Sequence, residues 1–166
     1  MAGNAALGPP HPSAEADTFA RRVVETEYLL RSVASIVRQR GREILSGYEI
    51  TPPQFDALLR LLRAEHPLTM GALCQQLYLA SSTVTDLVDR MEKNELVQRV
   101  RDPEDRRVVR LVVREKGRSV YDQVMEERKH YLSCILGRVS VGDRDRLTAA
   151  LAQVHELMTS EEARAR

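Results

Sequence analysis

The sequence predicts a mainly α fold carrying one small β-hairpin (α+β). Three observations lead there. Apolar residues recur at helical spacing in six segments. One stretch, residues 96–113, instead shows β-branched runs with partial alternation. The chain has 166 residues, 43% hydrophobic and 30% charged, which is ordinary globular usage and enough for one sizeable core.

The elements follow in order. Met1 to about Pro12 is rich in Ala, Gly and Pro, so residues 1–13 are expected to form a disordered tail. It holds no apolar run long enough for a signal peptide, and no window of the chain could span a bilayer. A cytoplasmic location is expected. Residues 14–166 read as a single domain. A first long helix should run from about Ala14 to Leu45, marked by Phe19, Val23, Leu30, Val33, Val37, Ile44 and Leu45 and broken by Gly47. The next starts near Pro52-Pro53, where Pro suits a first turn, and continues through Phe55, Leu58, Leu59 and Leu62.

Two short helices come next. One spans about Met70 to Leu77 behind a Thr69 N-cap, with Leu73 and Leu77 on one face and Cys74 beside Leu73. Tyr78-Leu79-Ala80 makes the turn. The other opens on Ser81-Ser82-Thr83, hydroxyl residues suited to free backbone N–H groups. Its stripe Val84, Leu87, Val88 and Met91 should face the core. Two β-runs, 96–101 and 108–113, are then joined by Asp102-Pro103-Glu104-Asp105-Arg106-Arg107, a turn-forming stretch. A long helix marked by Val120, Val124, Tyr131 and Ile135 follows, and a last one marked by Leu147, Leu151, Val154 and Met158.

Residues of about 50–117 therefore have the order helix-turn-helix then wing, which suits one helix in a DNA groove with a basic finger beside it. A solvated surface hairpin is the plainer reading of the charged turn, but it weakens directly behind a two-helix motif. Candidate DNA-binding residues are Ser81, Ser82, Thr83, Thr85, Asp86 and Arg90 on the second short helix, and Arg106 and Arg107 at the turn. Bulk charge cannot carry such binding. The formal net charge is only +1, and eight basic residues between Ser81 and Arg114 face seven acidic ones. Of the 25 basic side chains 22 are arginine, which favours bidentate contacts to phosphate or guanine.

These residues resemble the MarR family of winged-helix transcriptional regulators. The resemblance rests on Ser82-Thr83-Val84-Thr85, on Leu87-Val88-Asp89-Arg90-Met91-Glu92, and on Leu96-Val97 with Arg99. The wing signature Asp102-Pro103-Glu104-Asp105-Arg106-Arg107 and the helix start Lys116-Gly117 complete it. It implies a homodimer built on the outer helices, about 14–46 and 117–160, binding a pseudo-palindromic double-stranded operator. It also implies a small-molecule effector, more often repression than activation, and no cofactor. The family uses a wing-tip arginine in the minor groove, a role that falls to Arg106. Arg107 would contact phosphate or brace the wing against an acidic neighbour such as Asp102. Two departures stand out: Val112-Val113 replaces the usual Leu-Thr, and Asp86 stands where a basic or polar residue is more usual. Three roles compete for Asp86. It caps the helix in a Thr83-x-x-Asp86 box, reads a cytosine amino group, or only repels phosphate. Capping is the simplest, because it needs no partner.

The sensing site is less legible. Tyr28, Arg31 and Arg38 are candidates to line a crevice, though a solvated face or ion pairs suit the arginines as well. Tyr48, Phe55 and His66 belong either to a pocket or to the core. Cys74 reads as a core cysteine, and Cys134 with His130 one turn earlier makes only half a zinc site. No metal centre is expected. There is no Gly-rich phosphate loop, nucleophile elbow or His/carboxylate cluster, so no catalytic residue is assigned and an enzyme is not expected. The alternatives are a winged-helix protein-interaction module and a thiol- or metal-responsive regulator.

Overall fold

In the computed structural model, which describes residues 12–164, the order is six helices with one hairpin between the fourth and fifth. They are α1 (Pro12–Gly47), α2 (Pro52–Arg63), α3 (Met70–Leu77), α4 (Ser81–Lys93), β1 (Val97–Arg101), β2 (Val109–Val113), α5 (Glu115–Leu136) and α6 (Val141–Arg164). The mainly α expectation with a small β-wing therefore holds. Most of the expected tail lies outside the described residues, but Pro12 and Ser13 already belong to α1.

The chain divides into two compact units, one ending at Glu43 and the other beginning at Ile44. Within the first, α1 is exposed along most of its length, and Phe19, Val23, Leu30, Val33 and Val37 face outward. The second holds the core. Phe55, Ala57 and Leu58 of α2 meet Leu73 of α3, the α4 stripe, Leu96, Val97, Leu111 and Val124. Ile44, Leu45 and Ile50 close it at the start of this unit.

Local chemistry sets the helix ends. Thr51 precedes α2, and its backbone N–H donates to the Gln54 side chain at 2.8 Å, which explains why a glutamine is buried there. Thr69 caps α3: its hydroxyl accepts from the Ala72 N–H at 3.2 Å. The first helix ends differently from expectation. Gly47 is still helical, and Glu49 takes the left-handed conformation with φ of 56°. The Ile50 N–H then returns to the Leu45 carbonyl at 3.3 Å. Tyr78 (φ 55°) and Glu95 (φ 62°) end α3 and α4 in the same left-handed way. Each thus bears the strain that glycine would avoid.

β1 and β2 pair antiparallel, Val97 opposite Val113 and Arg101 opposite Val109. Thr69 adds a bridge to Arg110, and the Leu111 N–H donates to the Leu68 carbonyl at 2.8 Å. The hairpin is thereby stitched to the segment leading into α3. At its far end Gly117 lets α5 start close to the hairpin. A Cβ there would lie 2.1 Å from the Leu96 carbonyl oxygen.

Candidate nucleic-acid interface

Val84, Leu87, Val88 and Met91 of α4 are all buried, as the spacing predicts. That fixes which side of α4 looks outward. Ser81, Ser82, Thr83, Thr85, Asp86, Asp89 and Arg90 are exposed. The hydroxyls do not cap the helix as expected. Ala80 occupies the N-cap without a side-chain bond, and Ser81 is already helical. The Thr85 hydroxyl donates backward to the Ser81 carbonyl at 2.9 Å, a bond within the helix. Thr83 is consequently the third helical residue and Asp86 the sixth, so no capping box can form between them. The Asp86 carboxylate has no hydrogen bond or ion pair among the described residues.

The hairpin is held to α4 by one arginine. Arg99 of β1 donates its backbone N–H to Glu92 at 2.8 Å and its guanidinium to the same carboxylate at 2.6 Å. Its guanidinium also reaches Asp89 at 2.7 Å. Burial disfavours the Arg99 charge, but the bonds to Asp89 and Glu92 outweigh it and the pKa rises.

Asp102 organises the turn. It is buried, and one carboxylate oxygen accepts from the Glu104 N–H at 2.8 Å and the Asp105 N–H at 3.1 Å. Its other oxygen accepts from Arg110, whose guanidinium also donates to the Pro67 carbonyl at 2.9 Å. Of the two roles open to Arg107, phosphate contact or brace, the brace against Asp102 is supplied instead by Arg110, whose place in β2 puts its side chain there. The Arg110 bond, then the two backbone N–H groups, hold the Asp102 carboxyl down at about 2. Asp105 accepts the Arg107 N–H at 3.0 Å, while the side chains of Arg106 and Arg107 stand exposed.

The near-neutral charge count resolves once pairs are removed. Arg99, Arg110 and Arg114 are engaged with Asp89, Glu92, Asp102 and Glu95. Arg90, Lys93, Arg101, Arg106 and Arg107 carry no ion pair among the described residues. The reader surface is accordingly more basic than its composition. Arg101, at the exposed end of β1, was not singled out from the sequence; it shares a side of the strand with Arg99, but only Arg99 lies against Asp89 and Glu92.

The other candidate residues scatter. Tyr28 and Arg31 are exposed on α1, and Arg31 pairs with Glu27 one turn away. Phe55 is buried and stacks on Tyr121 at 5.5 Å between ring centres, with the Arg128 guanidinium 4.3 Å from its ring. The Tyr48 hydroxyl donates to Glu127 at 2.5 Å, a bond that raises the Tyr48 pKa. Tyr48 and Phe55 thus both engage the middle of α5 through residues that sequence reasoning passed over. His66 is exposed. Cys74 is half-buried against the core, whereas Cys134 is exposed with its sulfur 3.7 Å from His130 Nε2. Among the described residues no three His, Cys, Asp or Glu side chains gather as metal ligands.

The MarR family model matches residues 50–109, the stretch from just before α2 to the start of β2. The HTH-type transcriptional regulator YsmB of Bacillus subtilis is 50% identical over 110 residues, covering 66% of this chain and 75% of that one. A MarR family protein from Bacillus stearothermophilus has a similar solved structure. Identity there is 48% and the TM-score 0.77, covering 84% of this chain and 97% of that one. The chain belongs to the MarR family. A transcriptional regulator from Thermotoga maritima matches over the same shares at 32% identity and a TM-score of 0.69. This MarR chain is therefore a DNA-binding transcriptional regulator with the winged-helix fold. Among the described residues no helix is long and apolar enough to cross a membrane.

Proposed function

We propose that this protein is a homodimeric repressor that binds a pseudo-palindromic double-stranded operator in the cytoplasm and releases it when a small-molecule effector binds. One observation carries the DNA-reading part. The outward side of α4 is hydroxyl-rich, and the arginines of the adjacent wing tip are exposed and unpaired. The core of a protein-docking surface would favour aromatic and other apolar groups over serine there. In this reading Ser81, Ser82, Thr83, Thr85, Asp86 and Arg90 of α4 face the major groove. Arg106 enters the minor groove, and Arg107 contacts phosphate.

The dimer reading rests on unsatisfied apolar surface. Leu147, Leu151, Val154, Leu157 and Met158 of α6 are exposed, as are Leu132 and Ile135 of α5 and the apolar residues of α1. Stripes of this size call for a partner. Two copies related by a twofold axis would present two α4 helices to successive grooves. The effector is carried over from the family, with Tyr48 and Phe55 as candidates that both engage α5.

A gel shift on random-sequence duplex with a salt titration tests the reading. Binding should fall linearly on a log–log plot against salt as phosphate contacts release counterions. Absence of binding, or binding indifferent to salt, would leave the protein-interaction module as the better account.

A further inference from the structure

We infer that Asp86 is a specificity-determining residue that accepts a hydrogen bond from the N4 amino group of a cytosine in the major groove. The inference rests on the DNA-reading assignment of α4 given above. Its starting point is that the local role for this carboxylate has gone. The N-cap of α4 is Ala80, Asp86 sits in the second turn, and no group among the described residues engages it.

Its acidic neighbours behave otherwise. Asp89 and Glu92 hold Arg99, Glu95 meets Arg114, and Asp102 holds Arg110. Each of these carboxylates builds the reader. Asp86 builds nothing, yet it lies on the outward side of α4 with Ser82, Thr85 and Arg90. Arg90, one turn further on, is equally unpaired, so the two have not neutralised each other.

An ionised carboxylate in a major groove must find a donor or suffer repulsion from the phosphates. Base edges there offer only two amino donors, cytosine N4 and adenine N6. Adenine sets its N7 acceptor beside N6, and N7 would face an acceptor-only carboxylate lone pair to lone pair. Cytosine presents its amino group with no acceptor next to it on the same base. The carboxylate therefore selects cytosine.

The test is selection of bound duplexes from a pool with a randomised core, using the full chain and two variants, Asp86→Ala and Asp86→Asn. Folding is not at stake, since the side chain has no partner to lose among the described residues. Wild type should enrich cytosine at one pair of symmetry-related positions by roughly tenfold, about what a good base contact provides. Asp86→Ala should lose that preference while keeping the rest of the site. Asp86→Asn, now donor and acceptor together, should move it toward adenine, whose N6 and N7 an amide matches. If both variants keep the wild-type preference and bind every duplex more tightly by one common factor, Asp86 only repels phosphate and the inference is overturned. Failure of wild type to bind any duplex would instead overturn the reader assignment, and this inference with it.

Discussion

Replacing Gly117 by alanine tests how the reader is joined to α5. A Cβ at this position would lie 2.1 Å from the Leu96 carbonyl oxygen, and 3.0 Å from both the Leu96 carbonyl carbon and Val113 Cγ1. Carbon–oxygen contacts settle no closer than about 3.3 Å, so the first turn of α5 must retreat by roughly 1 Å. That oxygen already accepts the Arg114 N–H at 3.0 Å, directly before α5. Weakening the bond costs about 0.5–1.5 kcal/mol. Forced repacking against Val113 adds about 1–3 kcal/mol, and the better helix propensity of alanine returns about 1 kcal/mol. The net expectation is a loss of roughly 1–3 kcal/mol. Gly71→Ala is the control. Its new Cβ meets only the Thr69 hydroxyl at 4.0 Å, so it should stabilise by about 0.5–1 kcal/mol. Urea unfolding followed by circular dichroism, at one fixed protein concentration, compares the midpoints. A Gly117→Ala midpoint at or above wild type would refute the close-approach argument.

Four further outcomes are expected. Arg106→Ala should weaken operator binding by about 1–3 kcal/mol and lower the salt slope by about one; unchanged affinity would remove the wing from recognition. Because folding lowers the Asp102 pKa from 3.8 to about 2, its stabilisation is complete above about pH 4 and is lost as pH falls through 2. The stability gap between wild type and Asp102→Asn should therefore close across that window, and a gap that persists at pH 2 would argue against the carboxylate. Leu151→Arg should abolish dimerisation and operator binding together in sedimentation and gel shift, whereas a wild type sedimenting as a monomer would end the dimer proposal. A Cys74→Ala, Cys134→Ser double variant should bind DNA as wild type does before and after peroxide, and peroxide sensitivity confined to wild type would establish thiol sensing.

Local signals in the sequence were read correctly where one residue or one period decides the outcome. Thr69 caps α3 because a single hydroxyl suffices, and the α4 stripe is buried because four apolar residues share one side. Left-handed ends at Glu49, Tyr78 and Glu95 left no such mark, since none is glycine and the chain's return to the core imposes them. For a related reason the sequence left Arg107 between a phosphate contact and the wing brace, a brace that Arg110 makes. Asp102 has Arg106, Arg107 and Arg110 close by in sequence, and only the hairpin register brings Arg110 onto it. The opening of α4 on Ser81 was legible, but the capping expected of its hydroxyls was not borne out, because Ala80 takes the N-cap position.

Ion pairing divides the arginines of this region into two sets. Arg99 and Arg110 face carboxylates from α4 and from the turn, and both are partly covered by the protein. A guanidinium held by two or more fixed acceptors is poorly placed to release them for a phosphate. Among the described residues Arg90, Arg101, Arg106 and Arg107 have no such acceptors to give up, so a phosphate or a guanine edge would gain their full donor set. Alanine at Arg99 or Arg110 should consequently lower stability first and DNA binding only through a loosened wing. Alanine at Arg101 or Arg107 should leave melting unchanged and reduce affinity for all duplexes alike. Glu92 belongs with the builders, because its carboxylate fixes both the backbone and the guanidinium of Arg99 and so sets the angle between α4 and the wing. In the proposed binding mode that angle would decide whether α4 and Arg106 reach adjacent grooves of one duplex together, which would link the ion pairs of the free protein to the operator geometry it accepts.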